Sequence, residues 1–142
     1  MFKRVDYITK VTYPNITTYY LFHKEESILL PVEVFNYNPQ YTFPDSRIII
    51  STILNTLNAV YTETLIYLHQ DDKYYCYLKI KNENKTYEIN ANFIDAIELA
   101  VYEQKPILIL SEILEQQGFK VTKNMVMNAL NTNSSSGCTF EY

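Results

Sequence analysis

Apolar and polar positions alternate along the first third of the chain, which predicts strands. Residues 2–13 and 16–24 read as two strands around the turn pair Pro14-Asn15. "SILLPVEVF", at 27–35, reads as a third, reached through the polar link Lys24-Glu25-Glu26. Pro31 cannot donate to a ladder, so this strand is expected at a sheet edge or with a bulge there. "NYNPQYTFPD" then supplies two prolines among polar residues and reads as a loop.

The period changes at "DSRIIISTILNTLNA". Ile49, Ile50, Ile53, Leu54 and Leu57 recur at three- and four-residue spacing, one apolar stripe of a helix that Asp45 or Ser46 can cap. The three consecutive isoleucines also suit a strand, so the start of this helix is less defined than its end. "VYTETLIYLHQ" and "KYYCYLKIKN" follow as strands joined at Asp71-Asp72, and "KTYEINA" pairs back after the Asn82-Glu83-Asn84 turn. In the second of these, Tyr74, Cys76, Leu78 and Ile80 share one face, with Tyr75, Tyr77, Lys79 and Lys81 on the other. Next come a helix over about 93–104, the short run "PILIL", and a helix "SEILEQQ" ended by Gly118. Residues 131–138, "NTNSSSGC", have no apolar pattern to bury, so a flexible tail is expected over 123–142.

Strands in meanders with inserted helices predict an α+β domain over residues 1–122. Its sheet is expected to be largely antiparallel or mixed, with about six or seven strands and about three helices.

Composition changes this picture little. The chain has 142 residues, 47% hydrophobic and 20% charged, which is enough to build a core without a metal or disulfide. Cys76 and Cys138 lie far apart with no CxxC, so a reducing, cytoplasmic setting is expected. The N-terminus reads as a mature strand rather than a signal peptide, and no run suggests a membrane span. Twelve basic against 16 acidic residues give a net charge of −4, which gives no support to a nucleic-acid partner. The 14 tyrosines beside 2 glycines suit half-buried sheet faces better than base stacking.

"INANFIDAIELAVYEQKPILILSEILEQQG" resembles the bifunctional nuclease (BFN) domain, whose signature here is an acid-x-Arg-Pro-Ser-Asp-Ala-Ile run. A helix, a Pro-Ile strand and a Glu-rich helix ending in Gly follow that run. Asp95-Ala96-Ile97, Pro106-Ile107, Glu112, Leu114 and Gly118 fall on the pattern. Upstream, "ILLPVEV" is similar to the family's Leu-Pro-Ile strand, and "FPDSRIIISTILNTLNA" to its Pro-x-Thr-His-Asp-Leu segment. The resemblance covers roughly residues 5–120. It implies an α+β, bacterial-type domain, often a homo-oligomer, with nuclease activity on DNA and RNA. Divalent metal, Mg or Mn, is implied only if the chain is a nuclease.

Several family positions are substituted. The leading acid is Asn90 and the Arg is Asn92, the Pro-Ser pair is Phe93-Ile94, and Thr-His-Asp falls on Ser46-Arg47-Ile48. Asparagine can hydrogen-bond but cannot take a proton or neutralise a metal. The resemblance therefore implies Asp95 and Glu112 as catalytic candidates, and Ser46, Arg47, Asn90 and Asn92 as substrate-binding ones, on a site whose activity is weakened or lost. Glu98, one turn after Asp95, is a third catalytic candidate because the spacing can put both on one exposed face as a metal pair. Each has a plainer reading. Asp95 sits at the third position of a helix that Asn92 can cap, where a carboxylate also favours the helix dipole. Glu98 lies on a solvated face, and Arg47 is either a phosphate contact at a helix start or a surface residue. His69-Gln70-Asp71-Asp72 mixes metal-ligand types but suits a turn. His23 shows no partner in the sequence, and Cys138 is a candidate reactive thiol in the tail.

Overall fold

The computed structural model describes residues 1–35, 46–122, 124 and 137–141. The chain divides into two compact units, one formed by Met1–Arg4 with Phe43–Leu110, the other by Val5–Thr42 with Ser111–Tyr142. Three helices and two five-stranded sheets are present among the described residues, an α+β fold as expected. The strands divide between two sheets instead of forming one.

In the first unit the strands are β1 (Phe2–Arg4), β5 (Ala59–Gln70), β6 (Lys73–Asn82), β7 (Lys85–Asn92) and β8 (Ile107–Leu110). They lie in the order β1-β8-β5-β6-β7. All neighbours are antiparallel except β5 and β8, where Thr64, Leu65 and Ile66 run beside Ile107, Leu108 and Ile109. Helix α2 (Phe93–Glu103) makes the crossover that a parallel pair requires. It buries Phe93, Ala96, Ile97, Leu99 and Ala100, and Ile66, Cys76, Leu78, Ile107 and Ile109 are buried on the strands. Cys76 thus sits in the core, as the alternation in β6 predicts.

One polar thread crosses this core. Thr64 is fully buried, and its hydroxyl donates to the Ala96 carbonyl at 3.2 Å while also bonding the Tyr61 hydroxyl. Both side-chain hydroxyls are therefore satisfied, which keeps their burial from being costly.

Helix α1 (Ser46–Thr56) has the expected period but not the expected burial. Ile48, Ile49, Ile53 and Leu57 are each at least half exposed, and Ile50 and Leu54 are half-buried. Three consecutive isoleucines spread over about 200° of a helix, too wide an arc for one neighbouring layer to cover. Asp45, one of the two expected caps, lies outside the described residues, as does the Ser46 side chain.

In the second unit β2 (Tyr7–Thr12), β3 (Ile16–His23), β4 (Ile28–Phe35), β9 (Phe119–Lys120) and β10 (Gly137–Glu141) lie in the order β10-β2-β3-β4-β9, and helix α3 (Ser111–Gln117) packs on β4. The expected strand over 2–13 is two strands in two sheets, interrupted at Val5-Asp6. Asp6 is a poor strand residue and works locally instead, its carboxylate accepting from the Lys24 N–H at 2.7 Å. Pairing of β4 with β9 involves Ile28 and Leu29 alone, so β4 is an edge at Pro31 among the described residues, as its missing donor demands. Within the expected tail, residues 137–141 pair with β2 from Val11 to Tyr7, and 123 and 125–136 lie outside the described residues. Among the described residues no helix is long and apolar enough to cross a membrane.

Gly118 ends α3, its N–H donating to the Leu114 carbonyl at 3.0 Å. Space explains the glycine. A Cβ there would stand 2.5 Å from Ile28 Cγ2 and 2.6 Å from the Leu114 carbonyl oxygen.

Candidate functional site

Strand β7 runs into α2 without a loop, and Asn92 is the hinge between them. Its backbone is extended, at φ −70 and ψ 162, so it caps the helix from outside. The Asn92 carbonyl Oδ1 accepts from the Asp95 N–H at 2.8 Å, and the Asn92 amide donates to Asp95 Oδ2 at 2.7 Å. Each side chain therefore serves the other's need at a helix start. Asn92 caps the helix and Asp95 stands at its third position, as the sequence predicts, but the carboxylate does not reach back to the cap backbone N–H of a capping box. It bonds the cap side chain instead.

One turn on, Glu98 faces α1. Arg47 Nη1 lies 3.6 Å from Glu98 Oε2, and the guanidinium sits 5.4 Å from the Tyr102 ring centre. Ser51 of α1 hydrogen-bonds Glu103 of α2. The α1–α2 contact is thus lined by an arginine, two carboxylates and an aromatic ring, with Arg47 set against Glu98 and the Ser51 hydroxyl bonded to Glu103. Asn90 lies on the opposite face of the sheet from the α2 core. Its Oδ1 accepts from the Tyr67 hydroxyl at 2.9 Å, and Tyr67 packs on Tyr77 at 4.8 Å. Two irregularities in the β5–β6 register, at Tyr61/Glu63 and Ile66/Leu68, help set which β5 side chains reach that face.

The candidates therefore fall into separate groups. Asn92 is brought to Asp95, Arg47 to Glu98, and Asn90 to Tyr67. Glu112 belongs to the other unit, in the first turn of α3, where its carboxylate accepts from the Ser111 hydroxyl at 3.4 Å. Ser46 opens α1. Among the described residues no three His, Cys, Asp or Glu side chains form a group able to hold a metal ion. These carboxylates do not fit a divalent ion of the kind implied by a nuclease, because no third acidic, histidine or cysteine ligand joins Asp95 and Glu98 among the described residues. His69 packs against Tyr74 at 4.5 Å, and Asp71 and Asp72 form a tight turn with φ of 53 and 59.

Two features of the second unit escape the sequence reading. His23 is buried, with Asp6 Oδ2 3.8 Å from Nδ1 and Glu26 Oε1 3.6 Å from Nε2. Glu26 is three residues away in sequence, a visible signal, but Asp6 is brought near only by the pairing of Tyr7 with Phe22. A cavity of about 290 Å³ lies beside Glu26, walled by Leu114, Glu115, Gly118 and Lys120. Lys120 is its only cation among the described lining residues.

The protein is thus an α+β domain protein with a strand-to-helix junction at Asn92. A family model, that of the bifunctional nuclease domain, matches residues 39–122, more than half of the chain. The chain belongs to the bifunctional nuclease domain family. The match covers α1 through β9 and starts after β4, so the upstream "ILLPVEV" strand lies outside it. Comparison with curated proteins gives no match.

Proposed function

We propose that this chain is a BFN domain whose signature residues serve structure rather than phosphodiester cleavage, and that it acts as a cytoplasmic, self-associating binding protein. The reciprocal bonding of Asn92 and Asp95 carries this reading. A carboxylate that holds a metal needs further ligands beside it, and Asp95, though exposed, has none among the described residues. Asp95 instead occupies itself with a helix start. Asn90 and Asn92 cannot replace the acid and arginine of the family pattern, since amides neither transfer protons at neutral pH nor carry charge. The net charge of −4 also disfavours a polyanionic partner.

The test is cleavage of labelled single-stranded DNA and RNA with Mg²⁺ or Mn²⁺, run beside Asp95→Ala. No cleavage by either protein is expected. Cleavage by the wild type that Asp95→Ala abolishes overturns the proposal.

The family match supports a second reading, residual hydrolysis of DNA or RNA through Asp95, Glu98 or Glu112 with Arg47 toward a phosphate. In that case Glu98→Gln also loses activity. If Glu98→Gln keeps the activity, Glu98 has no catalytic part.

A further inference from the structure

We propose that two copies of this chain pair through strand β7, antiparallel and about a twofold axis at Ile89, making one sheet across both. This rests on the self-association in the proposed function and assigns its surface. β7 closes one side of its sheet, and its outer edge faces no other strand among the described residues. It is eight residues long and pairs with β6 in unbroken register from Asn92 opposite Tyr75 to Lys85 opposite Asn82. A regular strand of this kind presents a row of unpaired N–H and C=O groups that another strand can complete.

Sheet edges are normally protected by shortness, proline, bulges or inward charges. Two of the other edge strands are short, β1 with three residues and β9 with two, and β4 carries Pro31 beyond its contact with β9. β10, the remaining edge among the described residues, has five residues against the eight of β7. β7 has no proline and no bulge. On the face it shares with the core strand positions Leu78 and Ile80 it exposes Ile89 and Tyr87, at 48% and 47%.

The sequence of β7 suits its own copy. With Ile89 opposite Ile89 at the axis, Tyr87 of one copy faces Ala91 of the other, a large side chain over a small one. On the other face Glu88 is set opposite Asn90, and Thr86 opposite Asn92. No like charges oppose each other, and Lys85 falls outside the paired stretch. Shifting the axis to Glu88 would set two carboxylates directly opposite, which is destabilising. An axis at Ile89 avoids this and places an apolar pair at the centre.

The pairing is tested by light scattering at tens of micromolar and by a disulfide. The wild type is expected at twice the chain mass of 16.8 kDa. Ile89→Lys, which sets two ammonium groups opposite each other, is expected to return the monomer mass, whereas Ile53→Lys on α1 keeps the dimer. In a Cys138→Ser background, Ile89→Cys is expected to form a disulfide-linked dimer under mild oxidation. Glu88→Cys is not, because directly paired positions lie within about 4.5–5.5 Å at Cα and diagonal ones do not. A monomeric wild type overturns the pairing and the self-association together, including the case where it binds an added extended peptide at β7. A dimer that survives Ile89→Lys, that is lost in Ile53→Lys, or that links through Glu88→Cys instead, overturns this pairing and leaves self-association standing.

Discussion

Asn92 and Asp95 bond each other twice at the start of α2, backbone N–H to side-chain oxygen and side-chain amide to carboxylate. The bonds account for both residues without any ligand. They also suit the strand-to-helix junction, because asparagine is among the favoured residues at a helix N-terminal cap.

Removing that cap is expected to cost stability. Asn92→Ala should lower the unfolding free energy by about 1 kcal/mol, read as a shift in urea midpoint at unchanged slope. Asn92→Ser, which keeps an acceptor for the Asp95 N–H, should recover most of it. An Asn92→Ala protein as stable as the wild type would show that the cap contributes nothing.

Two buried groups predict an alkaline limit. Burial pushes the Tyr61 phenol from 10.0 up to about 12, with the Thr64 hydrogen bond opposing in part. Burial likewise pushes the Cys76 thiol from 9.0 up to about 12. Both are neutral when protonated, and both hold the proton more tightly folded than unfolded. Their contribution is complete below the unfolded values and is lost as pH rises from 9.0 toward about 12. Urea midpoints should therefore fall between about pH 8 and about pH 11, and fall less in Tyr61→Phe. Equal slopes for the two proteins would remove Tyr61 from the account.

Gly118→Ala should destabilise by about 1–3 kcal/mol, since the new methyl group meets a backbone oxygen that cannot turn aside. Thermal unfolding of the variant reads this directly. An unchanged melting temperature would mean that β4 and α3 have room to part.

The Asp71-Asp72 turn offers a gain. Both residues have positive φ, the arrangement of a two-residue hairpin turn that favours glycine at its second place. Asp72→Gly should raise stability by about 0.5–1 kcal/mol, seen as a higher melting temperature. A fall would show that the Asp72 carboxylate holds the turn in another way.

The strand-to-helix junction at Asn92 is legible in the sequence. The change from alternation to a helical period at Asn92 located the junction, because strand and helix place side chains with different periods. Asp95 was identified as a third-position residue for the same reason. The Arg47–Glu98 pair was not legible, since the two residues are 51 positions apart and meet only where α1 packs on α2. The same holds for His23 and Asp6, and for Tyr67 and Asn90.

By itself the sequence determined the local elements, the turn at Asp71-Asp72 and the cap at Asn92, which depend on neighbours within a few residues, and the family, which rests on the order of motifs along the chain. Tertiary structure alone decided that the strands divide between two sheets, that the isoleucines of α1 stay largely exposed, and that β7 ends its sheet among the described residues. These outcomes depend on which elements are left to cover which faces. That is a competition between distant parts of the chain for limited apolar surface, and hydrophobic burial has no direction by which a local pattern could announce its partner.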